Sequence, residues 1–340
     1  MNHRRHKAIA DTIESLADAG LETSISQETG LSPQVVRHGL ATSFHDLREE
    51  LSCIAALPGA RASSGFIALA GNVFSACLRP FATAAVLEVP LQARVSSRES
   101  AFATALGHAL KPFCDIELLR FPNTDDASFR AAIQSADFCE AYGSDETLDA
   151  LSVFTPTMIR RGHGLGVVLL GASIDDLAYD ALAEDIAAYD QRGCLSPRVV
   201  FAEGELEAHA EKLDDSLTRV EERLPRGEVS TDVQAASSQW RGTAAALHPL
   251  RESPSHAIVV DEMGGFPIGP THRHVVIRPM SLAQEALARL GSHTKVIGHA
   301  GLQAPPKAPC RVCDVGQMQR PRLSAAADGY AAGAGFILES

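Results

Sequence analysis

The sequence predicts an α/β protein in which an N-terminal helical cap is followed by a parallel-sheet domain and a second α/β domain. Three observations lead to this fold class. Short apolar runs alternate with helical segments from Phe66 onward, which is typical of a parallel sheet covered on both faces. Turn residues such as Gly71-Asn72 and Gly143-Ser144 follow these runs and mark where strands end. The chain has 340 residues, which is long enough for two well-filled cores.

The first sixty residues predict the helical cap. Apolar side chains fall on one face of a helix over residues 4–20, and Gly20 supplies its end. A second helix opens at Ser32-Pro33, with the serine as N-cap and the proline at the first helical position. Its apolar positions continue to Ile54. This cap contains no strand pattern.

Strands and helices then alternate along the chain. The pattern predicts strands over residues 66–70, 89–95, 116–119, 136–141, 167–170, 256–260, 274–278, 294–297 and 311–315. It predicts helices over residues 73–87, 100–110, 127–134, 174–186, 205–224, 230–247 and 281–290, with one more after Ser144. Ligands of such sheets bind beyond the carboxyl ends of strands. Asn72, Ser96, Gly143 and Ser144 are therefore expected near one edge of the first sheet.

Composition restricts the class of partner. The formal net charge is −12 and no long basic run is present, which argues against nucleic acid, because phosphate neutralisation needs clustered lysine and arginine. No apolar segment is long enough to cross a bilayer, and the basic start is not followed by a signal-peptide core. We therefore expect a cytoplasmic protein.

The cysteines are expected to be reduced thiols. The seven are scattered along the chain, at positions 53, 77, 114, 139, 194, 310 and 313, which is unlike a disulfide framework. Cys310 and Cys313 have C-x2-C spacing, but a structural zinc site needs a second ligand pair, and none lies nearby. We predict no metal site.

Cys194 follows the polar approach Asp190-Gln191-Arg192-Gly193 and precedes Ser196-Pro197. Ser196 suits a helix N-cap and Pro197 the first helical position, so the sequence predicts a helix beginning there. Its N-terminus would favour a thiolate at Cys194. The alternative is that Cys194 is an inert, buried, small hydrophobic residue. Both interpretations stay open from the residues alone.

A dinucleotide fingerprint is missing. The glycines of the Gly162-His163-Gly164-Leu165-Gly166 stretch precede a predicted strand, whereas a phosphate-binding turn follows a strand and opens a helix. We interpret them as a hinge or tight turn leading into a second domain. Histidines 163, 272, 274, 293 and 299 are acid–base candidates by type, and each is expected to be a surface or core residue instead.

Four short segments nevertheless occur in a characteristic order. They are residues 29–40, residues 69–73 with 94–99, residues 142–147 with Gly162-His163, and Asp190-Gln191, Cys194 and Ser196-Pro197 with a tail of Arg311, residues 316–321 and Asp328-Gly329. In these segments the chain resembles the bacterial acyl-CoA reductase family, known from the fatty acid reductase of luminescent bacteria (LuxC-type). That family belongs to the aldehyde dehydrogenase superfamily.

The resemblance implies a domain arrangement. It comprises an N-terminal helical region at residues 1–60, a Rossmann-type nucleotide-binding domain at 61–162 and an α/β catalytic domain bearing the cysteine at 163–304. A C-terminal segment, residues 305–340, would return to the nucleotide-binding domain. The superfamily binds its dinucleotide without the usual glycine fingerprint.

The resemblance also implies site residues. Cys194 matches the cysteine that takes the acyl group as a thioester, and Asn72 matches the asparagine whose amide helps to bind the developing oxyanion. Arg94 and Ser96 match the positions where a lysine and a serine contact the cofactor's ribose and phosphate. Gly143-Ser144 match the turn that meets the nicotinamide dinucleotide.

The implied activity is NADPH-dependent reduction of a fatty acyl-CoA to the aldehyde, with NADH as the other possible cofactor. Implied partners are an acyl-CoA or other acyl-thioester substrate, acyl-transferase and fatty-acid-activating synthetase subunits, and further copies of the chain in a homo-oligomer. Hydrolytic relatives need a carboxylate base near the Gly162–Gly166 stretch, and residues 150–174 contain neither aspartate nor glutamate. The acyl-enzyme is therefore expected to be spared hydrolysis.

Two alternatives remain beside this function. One is a CoA-acylating aldehyde dehydrogenase working toward acyl-CoA, and the other is a catalytically weak acyl-binding or assembly subunit of the same fold. The chain departs from the family pattern at three places. Phe74 replaces a proline, Arg94 replaces the phosphate-contacting lysine, and Ser324–Ala327 occupy the region where a tryptophan is usual.

Overall fold

The structure is a computed structural model that describes residues 2–71, 73–96, 99–121, 127–155 and 157–338. The chain forms two compact units. The first comprises Met1–Thr29, Leu40–His163 and Pro321–Ser340, and the second comprises Gly30–Gly39 and Gly164–Arg320. The finer four-part division implied by the resemblance stays a prediction.

The N-terminal region is helical, as predicted, but its helices are shorter. They are α1 (Asn2–Glu14), α2 (Glu22–Thr29), α3 (Pro33–Ser43) and α4 (Leu47–Ala55). The predicted helix over 33–54 is broken at Asp46, whose φ of 52° is left-handed and cannot continue a right-handed helix. The predicted cap at Ser32 is present, because its Oγ accepts a hydrogen bond from the backbone N–H of Val35 at 3.2 Å.

The first unit contains a five-stranded parallel sheet. Its strands are β1 (Gly65–Ala68), β2 (Leu91–Arg94), β3 (Ile116–Leu119), β4 (Phe138–Gly143) and β5 (Met158–Gly162). They lie in the order β3-β2-β1-β4-β5, and every neighbouring pair is parallel. The helices are α5 (Leu78–Leu87), α6 (Ala101–Leu110), α7 (Ala127–Ser135) and α8 (Asp145–Ser152). This order reverses at β1, which is where doubly wound sheets bind ligands.

The second unit contains a seven-stranded mixed sheet. Its elements are β6 (Leu165–Leu170), α9 (Asp176–Ala187), β7 (Pro197–Ala202), α10 (Leu206–Arg223), α11 (Thr231–Leu247), β8 (Leu250–Glu252), β9 (Ala257–Val260), β10 (His274–Pro279), α12 (Ala283–Leu290), β11 (Thr294–Ala300) and β12 (Arg311–Asp314). The strand order is β12-β11-β6-β7-β10-β9-β8, and β8 alone pairs antiparallel within this sheet. The predicted α/β fold class is confirmed.

The helix predicted to begin at Ser196-Pro197 is wrong, because Pro197 begins strand β7. The carbonyl of Ser196 accepts a hydrogen bond from the backbone N–H of Gly166 at 2.9 Å, which joins the segment to β6. Val199, Val200 and Phe201 are fully buried, as in a central strand covered on both faces. Proline is tolerated at the first residue of a strand, so burial of this apolar run overrides the local helix-start pattern.

The C-terminal residues from Pro321 onward pack within the first unit. The guanidinium of Arg79 donates to the carbonyls of Ala325 at 2.9 Å and Arg322 at 2.6 Å. The Phe336 ring lies 4.7 Å from the Phe138 ring, centroid to centroid. Polar contacts at Arg322 and Ala325 and an aromatic contact at Phe336 therefore hold this segment within the first unit. Within the described ranges, no helix combines the length and apolar character that spanning a lipid bilayer requires.

Candidate active site

The cysteine turn, residues 189–196, connects α9 to β7 and carries Cys194. Cys194 is exposed, and the backbone N–H of Ser196 donates to the carbonyl of Gly193 at 3.1 Å to close the turn. Cys77 and Cys139, by contrast, are buried, and burial raises the pKa of the Cys139 thiol to about 12. The alternative expectation that Cys194 is a buried hydrophobic residue is therefore wrong, and its role as a nucleophile stays a prediction. Cys194 precedes strand β7 and not a helix, so the helix N-terminus that was predicted to favour its thiolate is absent at Pro197.

The backbone that leads into the cysteine is unusual. Tyr189, Asp190 and Gln191 have φ angles of 51°, 50° and 61°, which is left-handed for three consecutive residues other than glycine. Each such residue costs about 1–2 kcal/mol, and strain of this kind persists only where surrounding contacts hold it. The turn therefore needs strong contacts on both sides.

A buried ion pair holds the turn on one side. The Asp190 carboxylate, which is fully buried, accepts a hydrogen bond from the Arg273 guanidinium at 2.7 Å and one from the backbone N–H of Gly227 at 3.0 Å. The other end of the same guanidinium reaches Glu221 at 2.5 Å. These contacts satisfy a buried charge that would otherwise be costly.

Gln191 forms a clamp beside this ion pair. Its side-chain amide donates to the carbonyls of Pro197 at 2.6 Å and His274 at 2.9 Å. Its side-chain oxygen accepts from the backbone N–H of His274 at 2.9 Å. Since Pro197 begins β7 and His274 begins β10, Gln191 joins the turn to the amino ends of two neighbouring strands.

Asp185 in α9 supports the turn through a loop, residues 316–319. Its carboxylate accepts from the backbone N–H of Gly316 at 2.5 Å, and from the N–H groups of Met318 and Gln319 at 3.4 Å each. Gln319 in turn donates to the Ser196 hydroxyl at 3.4 Å. Burial raises the pKa of Asp185 to about 7, although these amides and Arg311 oppose the shift. The loop therefore connects an ionisable group to the cysteine turn.

Histidines near the turn are not acids at neutral pH. Burial is the largest cause that lowers the pKa values of His272 and His274 to about 4. Both side chains also make hydrogen bonds: Nδ1 of His272 lies 2.8 Å from the Thr271 hydroxyl, and Nδ1 of His274 lies 2.9 Å from the Thr271 carbonyl. They are neutral packing residues.

The predicted cofactor residues of the first unit share one sheet edge. Arg94 ends β2 and pairs in register with Ala68 of β1, which also pairs with Ala141 of β4. Ser96 lies two residues beyond the end of β2, and Gly143 is the last residue of β4. The structure thus brings the predicted set to the carboxyl edge, at the point where the strand order reverses. Asn72 lies outside the described residues.

Two of these residues have side-chain contacts that suit an anionic nucleotide. The Arg94 guanidinium lies 5.6 Å from the centre of the Phe129 ring, and its Nε is buried without a hydrogen-bond partner among the described residues. Ser144 caps α8, because its Oγ accepts from the backbone N–H of Thr147 at 3.3 Å. A cation and the N-terminus of a helix both favour phosphate, so these two groups suit an anionic ligand.

A second buried charge cluster in the first unit was not predicted. Arg161 donates to Glu140 at 2.8 Å and to Asp328 at 3.3 Å, and the Tyr142 hydroxyl donates to Glu140 at 3.0 Å. Burial raises the pKa of Tyr142 well above its usual value. The cluster fixes the Asp328-Gly329 pair on which the resemblance depends. A glutamate inside the apolar run of β4 is the sequence feature that could have revealed it.

Arg273 and Asp185 were also missed, since each looks ordinary in sequence. Asp185 interrupts the apolar face formed by Leu182 and Ile186, which could have marked it as a buried carboxyl. Arg273 lies between two histidines before a strand, and nothing in that pattern indicates a partner at Asp190. Across the part of the chain that the structure describes, no group of three or more His, Cys, Asp or Glu side chains could hold a metal ion.

Comparisons with known proteins agree with this architecture. The model of the family described as acyl-CoA reductase (LuxC) matches residues 65–332. Comparison of the sequence with curated proteins finds no match. Many solved structures are similar in fold at low sequence identity.

Three solved structures illustrate this similarity. An oxidoreductase from Marinobacter aquaeolei has a TM-score of 0.71 at 12% identity, with 89% of this chain and 73% of that chain covered. A methylmalonate-semialdehyde dehydrogenase from Oceanimonas doudoroffii has a TM-score of 0.72 at 11% identity, covering 100% and 82%. An NADP-dependent glyceraldehyde-3-phosphate dehydrogenase from Bacillus halodurans, complexed with NADP, has a TM-score of 0.66 at 13% identity, covering 89% and 74%. The fold is that of the aldehyde dehydrogenase superfamily, as the resemblance implied.

Proposed function

Since this chain belongs to the acyl-CoA reductase (LuxC) family, we propose that it reduces a fatty acyl-CoA to the aldehyde through a thioester on Cys194, with NADPH as the reductant. The observation that carries the proposal is an exposed thiol on a turn that buried contacts hold on both sides. A nucleophile needs access to its substrate and a fixed direction of attack. Cys194 is accessible to substrate, and the contacts of its turn fix the direction of attack.

Acyl transfer to the cysteine is the first step. The Cys194 thiolate attacks the thioester carbonyl of the acyl-CoA, the carbon–sulfur bond to coenzyme A breaks, and coenzyme A leaves as its thiolate. Negative charge develops on the carbonyl oxygen during attack. We assign its stabilisation to the backbone N–H of Cys194 and the side-chain amide of Asn72, since hydrogen-bond donors fixed at that position lower the barrier most effectively.

The carboxyl edge of the first sheet is the proposed cofactor site. Arg94 and Ser96 would bind the ribose and phosphate, and the Gly143-Ser144 turn would meet the dinucleotide. When bound, NADPH supplies the hydride that reduces the acyl group. Arg94 keeps the positive charge of the usual lysine, but its guanidinium is planar and not a point charge. Because this geometry differs from that of the lysine, we keep NADH as the alternative reductant.

The acyl-enzyme is proposed to persist until it is reduced. Residues 150–174, which include β5 and β6, contain no carboxylate side chain. A hydrolytic relative needs such a base to activate water in this region. Without it, Cys194 keeps its acyl group for reduction or for return to coenzyme A. We place the reaction in the cytoplasm, where thiols stay reduced.

The test is an aldehyde assay with acyl-CoAs of short, medium and long chain, each with NADPH and with NADH. We expect aldehyde from the wild type, and none above background from Cys194→Ser. Cys53→Ser is the matched control, because Cys53 is the other exposed cysteine, and it should retain full activity.

Three results would contradict the proposal. Equal activity of Cys194→Ser would exclude the thioester on that residue. If acyl-CoA forms from aldehyde and coenzyme A faster than aldehyde forms from acyl-CoA, the result would favour a CoA-acylating dehydrogenase. Acylation of Cys194 without any aldehyde would indicate an acyl-binding or assembly subunit, which could then be tested with acyl-transferase and synthetase partners and for homo-oligomers.

A further inference from the structure

Two left-handed backbone segments lie against each other beside the candidate nucleophile. The first is Tyr189–Gln191 of the cysteine turn, and the second is His272-Arg273, with φ angles of 70° and 67°. None of the five is a glycine, so each is strained. Strained backbone persists only where other contacts determine it, and it concentrates at functional sites.

Two hydrogen bonds join these segments directly, and two more join the first segment to His274, the residue that follows the second. The backbone N–H of His272 donates to the Asp190 carbonyl at 3.0 Å, and the Arg273 guanidinium donates to the Asp190 carboxylate at 2.7 Å. Gln191 exchanges two bonds with the backbone of His274, both at 2.9 Å. Cys194 follows only three residues after Gln191.

Arg273 is the group that holds this contact in place. Its side chain is 1% exposed, and that of Asp190 is 0% exposed. Its second nitrogen is fixed by Glu221 of α10 at 2.5 Å. A planar guanidinium fixed at both ends has one orientation. Loss of Arg273 would leave Asp190 buried with only the more distant Arg192, at 3.9 Å, as an ion-pair partner among the described residues, and the turn could then relax from its left-handed conformation.

We propose that Arg273 is a positioning residue for Cys194, which keeps the cysteine turn in the strained conformation that aims the thiol at the acyl carbonyl. This inference rests on the proposed role of Cys194 as the nucleophile. Arg273 does not contact substrate in this account, and it acts only through Asp190 and the turn. A displacement of about 1 Å at a reacting atom can lower a rate about a hundredfold.

Arg273 directly precedes strand β10, and a second ion pair within that strand offers a matched control. Arg278, near the other end of β10, contacts the fully buried Asp261 at 3.1 Å and also donates to the carbonyl of Phe266. Among the residues that the structure describes, none of its hydrogen bonds reaches the cysteine turn. If Arg273 served only to stabilise the fold, loss of either arginine would have the same consequence for catalysis.

The experiment compares Arg273→Met, Arg273→Lys and Arg278→Met in the full chain, measuring kcat and KM for acyl-CoA reduction. For Arg273→Met we expect kcat to fall about a hundredfold with KM nearly unchanged, and for Arg273→Lys a partial recovery, since lysine restores the charge but not the fork. Arg278→Met should keep the wild-type kcat per folded molecule. Wild-type kcat in Arg273→Met, or equal losses in both methionine variants, would overturn the proposal.

Two measurements keep the test independent of reductase activity. The first is the rate at which iodoacetamide alkylates Cys194, followed by peptide mass mapping. The second is amide hydrogen exchange in the peptide covering residues 189–196. Arg273→Met should change both and Arg278→Met neither, even if the wild type makes no aldehyde, which would refute only the proposed function. No change in either would overturn the positioning role.

A milder variant is needed in case Arg273→Met does not fold. Glu221→Gln removes only the charge that orients the far end of the guanidinium, and the Glu221 side chain is 32% exposed. We expect this variant to fold, to lower kcat severalfold and to leave KM unchanged. A wild-type kcat and wild-type hydrogen exchange over residues 189–196 would count against the proposal.

Discussion

Arg273 and Asp185 support opposite ends of the cysteine turn, at Asp190 and Ser196, by different means. Arg273 contributes a buried cation to Asp190, whereas Asp185 accepts hydrogen bonds from the backbone N–H groups of Gly316, Met318 and Gln319. The ion pair of Arg273 involves Asp190, which is a residue of the turn itself. The contacts of Asp185 reach Ser196 only through Gln319. Reactivity at Cys194 therefore depends on side chains that no catalytic motif contains.

Asp185 makes stability depend on pH. Its pKa is about 7 in the folded chain and about 3.9 in an unfolded one, so the folded state binds more protons between these values. Its contribution to stability is present in full below the unfolded pKa and is lost as the pH rises through 7. This difference of about three pKa units corresponds to a change of about 4 kcal/mol in the free energy of unfolding. Asp185→Asn should remove this dependence, since asparagine is neutral throughout.

Urea unfolding of the wild type and of Asp185→Asn between pH 4 and 8 measures this effect. The free energy of unfolding of the wild type, relative to the variant, should fall as the pH rises. Asp215→Asn, which changes an exposed carboxylate of α10, is the control and should show no such trend. A wild-type-minus-variant difference that stays constant or rises with pH would contradict the assignment.

Strand β6 packs closely against the cysteine turn, and the close contact is possible because Gly166 has no side chain. A Cβ at Gly166 would lie 2.7 Å from the Leu195 carbonyl oxygen, 2.7 Å from the Met318 methyl and 3.0 Å from the Ser196 carbonyl carbon. The Met318 side chain can move, but the carbonyl groups belong to the turn itself. The glycine was predicted to form part of a hinge, and its place in the strand gives it this packing role.

Gly166→Ala should therefore displace the turn. We expect a loss of about 1–3 kcal/mol in the free energy of unfolding, as in other overpacked sites, together with a lower kcat. Gly242→Ala is the control, because no atom lies within 4 Å of its added Cβ in α11, and alanine should raise helix stability by up to about 1 kcal/mol. Chemical unfolding and the aldehyde assay measure both variants. Full activity in Gly166→Ala would show that β6 does not set the position of the turn.

At the scale of elements, periodicity predicted most strands and helices, and long-range contacts explain the differences. The strand pattern at residues 116–119 gave the observed bounds of β3. The helix predicted at Ser196-Pro197 was wrong. The local cap pattern contains no information about the strands β6 and β10, between which the next five residues lie. The left-handed residues 189–191 could not be predicted either, since none is a glycine and their stabilising partners lie far along the chain.

At the scale of the whole molecule, composition and alternation predicted the α/β class, and the resemblance added the superfamily. The strand orders did not follow from the sequence, although β3-β2-β1-β4-β5 is the order that a doubly wound sheet adopts. Ser96, Gly143 and Ser144 lie at or just beyond the carboxyl ends of β2 and β4, where the alternation of strands and helices places them, because that placement depends only on where parallel strands end. The network around Cys194 depends on pairings such as Asp190 with Arg273, which no local pattern contains.

The most direct test is a single-turnover experiment on the wild type with one long-chain acyl-CoA and no reductant. We predict an acyl adduct on the peptide that contains Cys194, stable over minutes, which disappears with stoichiometric release of aldehyde when NADPH is added. Rapid release of free fatty acid before NADPH is added, or an adduct on another residue, would contradict the account.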